Sequence, residues 1–151
     1  MKQEIRKVKY NNTDYLELCE ELNNHIDKVV AEQRKRNANC LEGLERFNNV
    51  YIMYIADKIA GCVAFSDVEH DVIKVENVFV KEEYRSSGVA TKLFENLENV
   101  AKGKGAKSLI LDTYERLESA VKLYKKMGFK IVPQFEELKN SPYSLCMQKD
   151  L

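Results

Sequence analysis

Apolar and polar positions along the chain alternate between the two-residue period of strands and the three-to-four-residue period of helices, and their order predicts the architecture. EIRKVKY (4–10) alternates as a half-buried strand does. Over 13–36, Leu16, Cys19, Leu22, Ile26 and Val29 or Val30 share one helical face, with Thr13 or Asp14 expected to cap the first turn. Residues 37–49 have no clear period and predict irregular chain with a short second helix. Three strands are expected next: VYIMYIAD (50–57), IAGCVAFSDVE (59–69) and VIKVENVFV (72–80). Breaks at Asp57-Lys58 and near His70-Asp71 are of hairpin length and make these an antiparallel meander.

After a polar loop at 84–90, Val89, Leu93, Phe94, Leu97, Val100 and Ala101 form a helical stripe ending at KGKG (102–105), where glycine suits a left-handed C-terminal position. SLILDT (108–113) is a continuous apolar run of the kind buried inside a sheet. Leu117, Ala120, Val121, Tyr124 and Met127 mark a further helix stopped by Gly128. FKIVP (129–133) and YSLCMQKDL (143–151) supply closing strands around the loop FEELKNSP. With no repeat, linker or low-complexity tract, residues 1–151 read as one α/β domain.

Charge narrows the classes of function. Lys plus Arg and Asp plus Glu both number 24, so no whole-molecule field draws the chain to nucleic acid or an anionic membrane. The apolar run at 50–56 is too short to span a bilayer, and the first residues lack an apolar signal core. A soluble, cytoplasmic protein is expected. Cys19, Cys40, Cys62 and Cys146 lie far apart, with no C-x-x-C pair and no adjacent histidine, so reduced thiols and no metal are expected. His25 in a helical stripe and His70 in a turn lack the partner groups of a Ser-His-Asp or Cys-His mechanism.

The stretch YRSSGVATKLF (84–94) carries the chemistry. A helix starting just after a strand offers unpaired amides and a positive dipole end, and small residues let a phosphate approach them. Ser86, Ser87, Gly88 and Ala90 are small, Arg85 adds positive charge and Thr91 a hydroxyl. The Walker ending Gly-Lys-Ser/Thr and the dinucleotide pattern G-x-G-x-x-G are both missing, leaving the R-x-x-G-x-A spacing of Arg85, Gly88 and Ala90.

With ENVFVKEEYRSSGVATKLF, then SLILDT, then AVKLYKKMGF in that order, the sequence resembles the GNAT superfamily of acyl-CoA-dependent N-acetyltransferases over roughly residues 50–149. Its closing stretch is similar to that of small single-domain members. The resemblance implies a mixed, mostly antiparallel sheet of six to seven strands flanked by about four helices, with acetyl-CoA as co-substrate. It places the pyrophosphate on the amides of Ser86, Ser87, Gly88, Val89, Ala90 and Thr91, beside Arg85. Val78 and Val80 would pair with the pantetheine arm, and an N–H of Phe79 or Val80 would face the thioester oxygen. A bent strand end at Val78–Val80 would diverge from the 108–113 strand and open a slot for that arm.

The catalytic candidates are Tyr124 and Glu76. Tyr124 stands where many members carry a tyrosine that protonates the departing sulfur; its other reading is a core aromatic. Glu76 is a candidate base because 74, 76, 78 and 80 should alternate onto one sheet face. Its other readings are a strand-edge charge paired with Lys74 and a site served by water alone, since the family's acidic residue aligns with Lys74. Leu117 replaces a cofactor-contacting asparagine, and Ser119 is the available substitute. Cys62 and Cys146 read as packing residues, so direct transfer without an acyl-enzyme is expected.

The acceptor groove would be walled by 34–48, bringing Arg34, Lys35, Arg36 and Arg46, and by 134–143, bringing Glu136 and Glu137. A small-molecule amine or amino acid is the first expectation for the acceptor, a peptide N-terminus or protein lysine the second. The competing classes are a non-catalytic acyl-CoA-binding module and an RNA-directed acetyltransferase. Exposed strand edges leave a homodimer open.

Overall fold

The computed structural model describes residues 2–30 and 39–151. Strand β1 (Gln3–Val8) leads into helix α1 (Thr13–Val30), and a meander of β2 (Asn49–Ile55), β3 (Lys58–Phe65) and β4 (Val72–Val80) follows. Helix α2 (Val89–Gly103), β5 (Ser108–Tyr114), α3 (Glu118–Lys126), β6 (Lys130–Val132) and β7 (Ser144–Asp150) complete the order. The seven strands form one sheet in the order β1-β2-β3-β4-β5-β7-β6. Only β4 and β5 pair in parallel, because α2 carries the chain back across the sheet between them. No helix among the described residues is long and apolar enough to cross a membrane.

The strand period divides the core into two. Met53, Phe65, Ile73 and Val75 pack under Leu93, Phe94 and Leu97 of α2 and under α3. Val50, Ile52, Cys62 and Ala64 point to the opposite face and pack on Tyr15, Leu18 and Leu22 of α1. The sheet is therefore covered on both faces.

Several local expectations change. The cap of α1 is Asn12, whose Oδ1 accepts from the Tyr15 amide at 3.1 Å; neither Thr13 nor Asp14 does this. Asp14 instead accepts the Tyr54 hydroxyl at 2.6 Å and ties α1 to β2. The expected second helix in 37–49 is a single 3-10 turn, Leu44–Arg46, so three α-helices are described where the resemblance implied about four. Both hairpins of the meander turn through two residues with positive φ, Ala56-Asp57 and His70-Asp71. Such turns match the twist of the strands they join, and His70, Asp57 and Asp71 are residue types that enter the left-handed region more readily than most.

The feature that positions the site is in β4. Cys62 pairs with Phe79 and Ala64 with Glu76, so two residues of β4, Asn77 and Val78, stand opposite Val63 alone. This is a β-bulge, and Asn77 takes φ 51° within it, a conformation asparagine tolerates better than most residues. Replacing Asn12 with alanine removes the cap of the helix that packs on this strand. Asn12→Ala is expected to lower unfolding free energy by about 1 kcal/mol in urea denaturation, with unchanged slope.

Candidate active site

Parallel pairing of β4 with β5 runs only from Val72–Ser108 to Lys74–Ile110. Beyond it the strands part, and a cleft of about 1060 Å³ opens between them. Every residue expected at the cofactor lines this cleft except Ser87, whose hydroxyl donates instead to the Tyr84 carbonyl. The bulge corrects one sequence expectation: 74, 76, 78 and 80 do not share a face. Ile73 and Val75 pack toward α2, but beyond the bulge Val78 and Val80 take that side and Phe79 packs toward α1. An extra residue reverses the alternation, as a one-residue slip of register does.

Backbone direction follows from the same ladder. The Lys81 amide donates to Ala60 O at 2.8 Å, so strand alternation turns the Val80 N–H and C=O away from β3. Arg85 Nε accordingly donates to Val80 O at 3.1 Å, and its guanidinium lies 5.7 Å from the centre of the Phe79 ring.

The glycine loop is a 3-10 turn, Glu82–Tyr84, followed by Ser86 at φ 63° and Gly88 at φ 85°. Gly88 sits just before α2, and a Cβ built there would meet no atom within 4 Å. Glycine at 88 thus answers to backbone conformation and leaves a vacant approach to the loop. The first well-formed helical bond runs from the Lys92 amide to Gly88 O at 3.1 Å, so Val89, Ala90 and Thr91 are the orphan donors of the helix start. The first turn of α2 carries no acidic residue. Small side chains, orphan amides and the dipole therefore make a cradle that fits a phosphate.

A row of alternating charge runs from β5 across the β4 arm. Asp112 Oδ1 lies 3.1 Å from Lys74 Nζ, Lys74 Nζ 3.5 Å from Glu76 Oε1, and Glu76 Oε2 3.0 Å from Arg46 Nη2. Burial alone would lower the Lys74 ammonium, but Asp112 and Glu76 outweigh it and hold its pKa above the usual lysine value. Both Glu76 oxygens therefore face a cation, the pairing with Lys74 that the sequence allowed, extended by an arginine from the 3-10 turn.

Residues 13–129 match the acetyltransferase (GNAT) family. The chain belongs to that family. Membership places this GNAT chain among acyl-CoA-dependent acyltransferases. It is 27% identical over 141 residues to the IAA acetyltransferase of Azospirillum brasilense, covering 90% of each chain. Other curated acetyltransferases match over 27% to 40% of their own lengths. Among solved structures, a proposed acyl-CoA N-acyltransferase from Klebsiella pneumoniae superposes with a TM-score of 0.82 at 19% identity, covering 99% of this chain and 97% of that one. PaiA N-acetyltransferase of Thermoplasma acidophilum, in complex with coenzyme A, superposes over the full length of both chains with a TM-score of 0.74 at 16% identity.

In this GNAT chain Tyr124 is packed as a core aromatic and also reaches the cleft. It is 8% exposed and packs edge-on against Phe94 and Phe129, yet it lines the cleft. Burial, then the charge of Asp112, pushes its phenol well above the usual tyrosine value, so it stays protonated at neutral pH. Ser119 and Leu117 line the same wall, and Leu117 supplies no side-chain cap to α3. Arg46 and Glu137 reach the cleft; Glu136 pairs with Lys139 at 2.7 Å and does not line it. Arg34, Lys35 and Arg36 lie outside the described residues.

The sequence reading missed Asp112 and Asn77. Asp112 was legible as the one charge in an apolar strand, and Asn77 as an asparagine in the middle of a β-branched run. His25, which lacks the partner groups of a histidine mechanism in the sequence, lines the cleft. No group of three His, Cys, Asp or Glu among the described residues could hold a metal.

Three of the four thiols are buried, and Cys40 alone is not. Desolvation pushes Cys19 up to about 12 and raises Cys62 and Cys146 as well, which keeps them as unreactive thiols. Iodoacetamide at pH 8 is expected to label Cys40 of the native protein first, with the other three reacting only on unfolding; intact mass against time reads this directly.

Proposed function

We propose that this chain transfers the acetyl group of acetyl-CoA to a primary amine by direct attack in a ternary complex. The observation that carries the reading is the parting of β4 and β5 beside the Gly88 cradle. It combines a slot with outward-turned backbone and an anion site at one end.

In this reading the amides from Ser86 through Thr91, led by the orphan donors Val89, Ala90 and Thr91, receive the pyrophosphate, with Arg85 flanking, and the outward-facing backbone of Val78 and Val80 pairs with the pantetheine arm. Of the two donors considered for the thioester oxygen, the Val80 N–H is favoured, because the Phe79 amide falls on the β3 side of the ladder. Such a donor matters because negative charge grows on that oxygen as the amine attacks. Ser119 adds a hydroxyl beside the slot in place of the asparagine absent at Leu117.

A lysine-like amine has a reference pKa of about 10.4, so a proton must leave before attack. Glu76 takes it, directly or through one water. The carboxylate keeps lone pairs free for this while held by Lys74 and Arg46. Tyr124, protonated by its burial, returns a proton to the departing thiolate. The buried cysteines do not enter the reaction. Primary amines of small molecules come first as acceptors, and the thialysine N-epsilon-acetyltransferases of pig and cow point to lysine-like amines. A cytoplasmic setting suits reduced thiols.

Calorimetric titration of acetyl-CoA is expected to give micromolar binding to the wild type and none to Gly88→Asp, whose carboxylate would fill the cradle. Absence of binding to the wild type would sink the reading, and binding without thiol release on a broad amine panel would leave only an acyl-CoA-binding module. Tyr124→Phe is expected to lower kcat by about 10²-fold with acetyl-CoA affinity retained, while an unchanged kcat removes Tyr124 from the mechanism.

A further inference from the structure

Arg46 is seated in a place made for it. Gly43 has φ 64°, and a Cβ built on it would come within 2.0 Å of Arg46 Nη1. The guanidinium occupies that space. Its Nη1 donates to Gly43 O at 2.7 Å and to Glu42 O at 3.2 Å, and the group lies 4.5 Å from the centre of the Phe47 ring. Nη2 reaches Glu76. A guanidinium has five N–H donors, and these contacts use three. The side chain is 54% exposed, so the fork is fixed from behind and open in front.

The rest of the acceptor half has a matching division. Leu22, Ile26 and Val29 of α1 stand at helical spacing on the cleft wall, and Leu138 lines it too, giving an apolar surface. Glu76 and Asp112 supply the negative groups that an incoming ammonium would meet. One cleft thus offers a rigid guanidinium, two carboxylates and an apolar wall.

We propose that the acceptor is an amino-acid-like molecule, an amine with a carboxylate and an apolar side chain, and that Arg46 receives the carboxylate. The proposal rests on the acetyltransferase reading above. A planar guanidinium with free donors matches a carboxylate in two-point contact, which a lysine could not reproduce. The two donors left free can take the carboxylate while Nη2 keeps Glu76, so one residue holds the acceptor's carboxylate beside the base that takes its amine's proton.

The test compares leucine and phenylalanine with their primary amides, which keep the amine and side chain but lose the charge. Thiol release with acetyl-CoA gives kcat and KM, and calorimetry on protein saturated with free CoA gives acceptor binding without turnover. The wild type should favour each acid over its amide by tenfold or more in kcat/KM. Arg46→Gln should collapse that ratio by about ten- to a hundredfold, mainly through KM, the range for a charged hydrogen bond. Gly43→Ala, which fills the seat while keeping the arginine, should collapse it too, and both variants should melt as cooperatively as the wild type. Equal use of acid and amide, or an Arg46→Gln loss that falls equally on both, overturns the proposal. Turnover of simple amines with no acid preference sinks this inference and leaves the acetyltransferase reading standing. With no thiol release from any amine that reading fails, and leucine binding that depends on Arg46 would still support the carboxylate site.

Discussion

The site depends on one extra residue in β4. Asn77 and Val78, both set against Val63, reverse the alternation of β4 just beyond Lys74, where its ladder with β5 ends and the cleft begins. The bulge is held from two sides. Asn77 Nδ2 donates to the Tyr15 hydroxyl at 3.0 Å, and the Cys62 thiol donates to Asn77 O at 3.3 Å. Tyr15 is fully buried under α1, so the docking of that helix and the shape of the strand are one packing problem. Burial raises the Tyr15 phenol far above its ordinary range, which keeps it a neutral partner for the amide.

Electrostatics inside the cleft are arranged in two zones. Near Gly88 the fixed charges are the helix dipole and Arg85, with no acidic side chain in the first turn of α2, so an anion meets little opposition. Near Arg46 two cations and two carboxylates alternate and largely neutralise one another. Such a row is stable without a ligand, yet each member can change partner when one arrives. That is the reason mixed charge, which selects nothing when read as composition, can select once its members are fixed in space.

Much of the architecture was legible because it rests on local period. The 72–80 strand, the α2 stripe and the SLILDT strand came from side-chain spacing alone, and the loop before α2 from small residues next to a helix start. The cap at Asn12 was misplaced because asparagine, threonine and aspartate stand together, and the choice among them depends on Asp14 being taken by Tyr54 forty residues on. The face of Glu76 relative to Val78 was misjudged because a bulge has no period; its one trace was an asparagine among β-branched residues. The turn at 44–46 is too short to carry a helical stripe, and the value of Gly43 appears only when Arg46 is folded back over it.

The sequence by itself determined the order of elements, the small-residue loop that opens α2 and the buried tyrosine of α3, since each follows from neighbours within a few residues. Tertiary structure decided which backbone groups face the slot, which charges pair across β4 and β5, and that an arginine from the irregular stretch before β2 reaches Glu76. The charge pairs of Arg46 with Glu76 and of Lys74 with Asp112 join residues 30 or more positions apart. No periodicity along the chain encodes such a meeting; it is set by where the bulge turns the strand and by which helix packs against it.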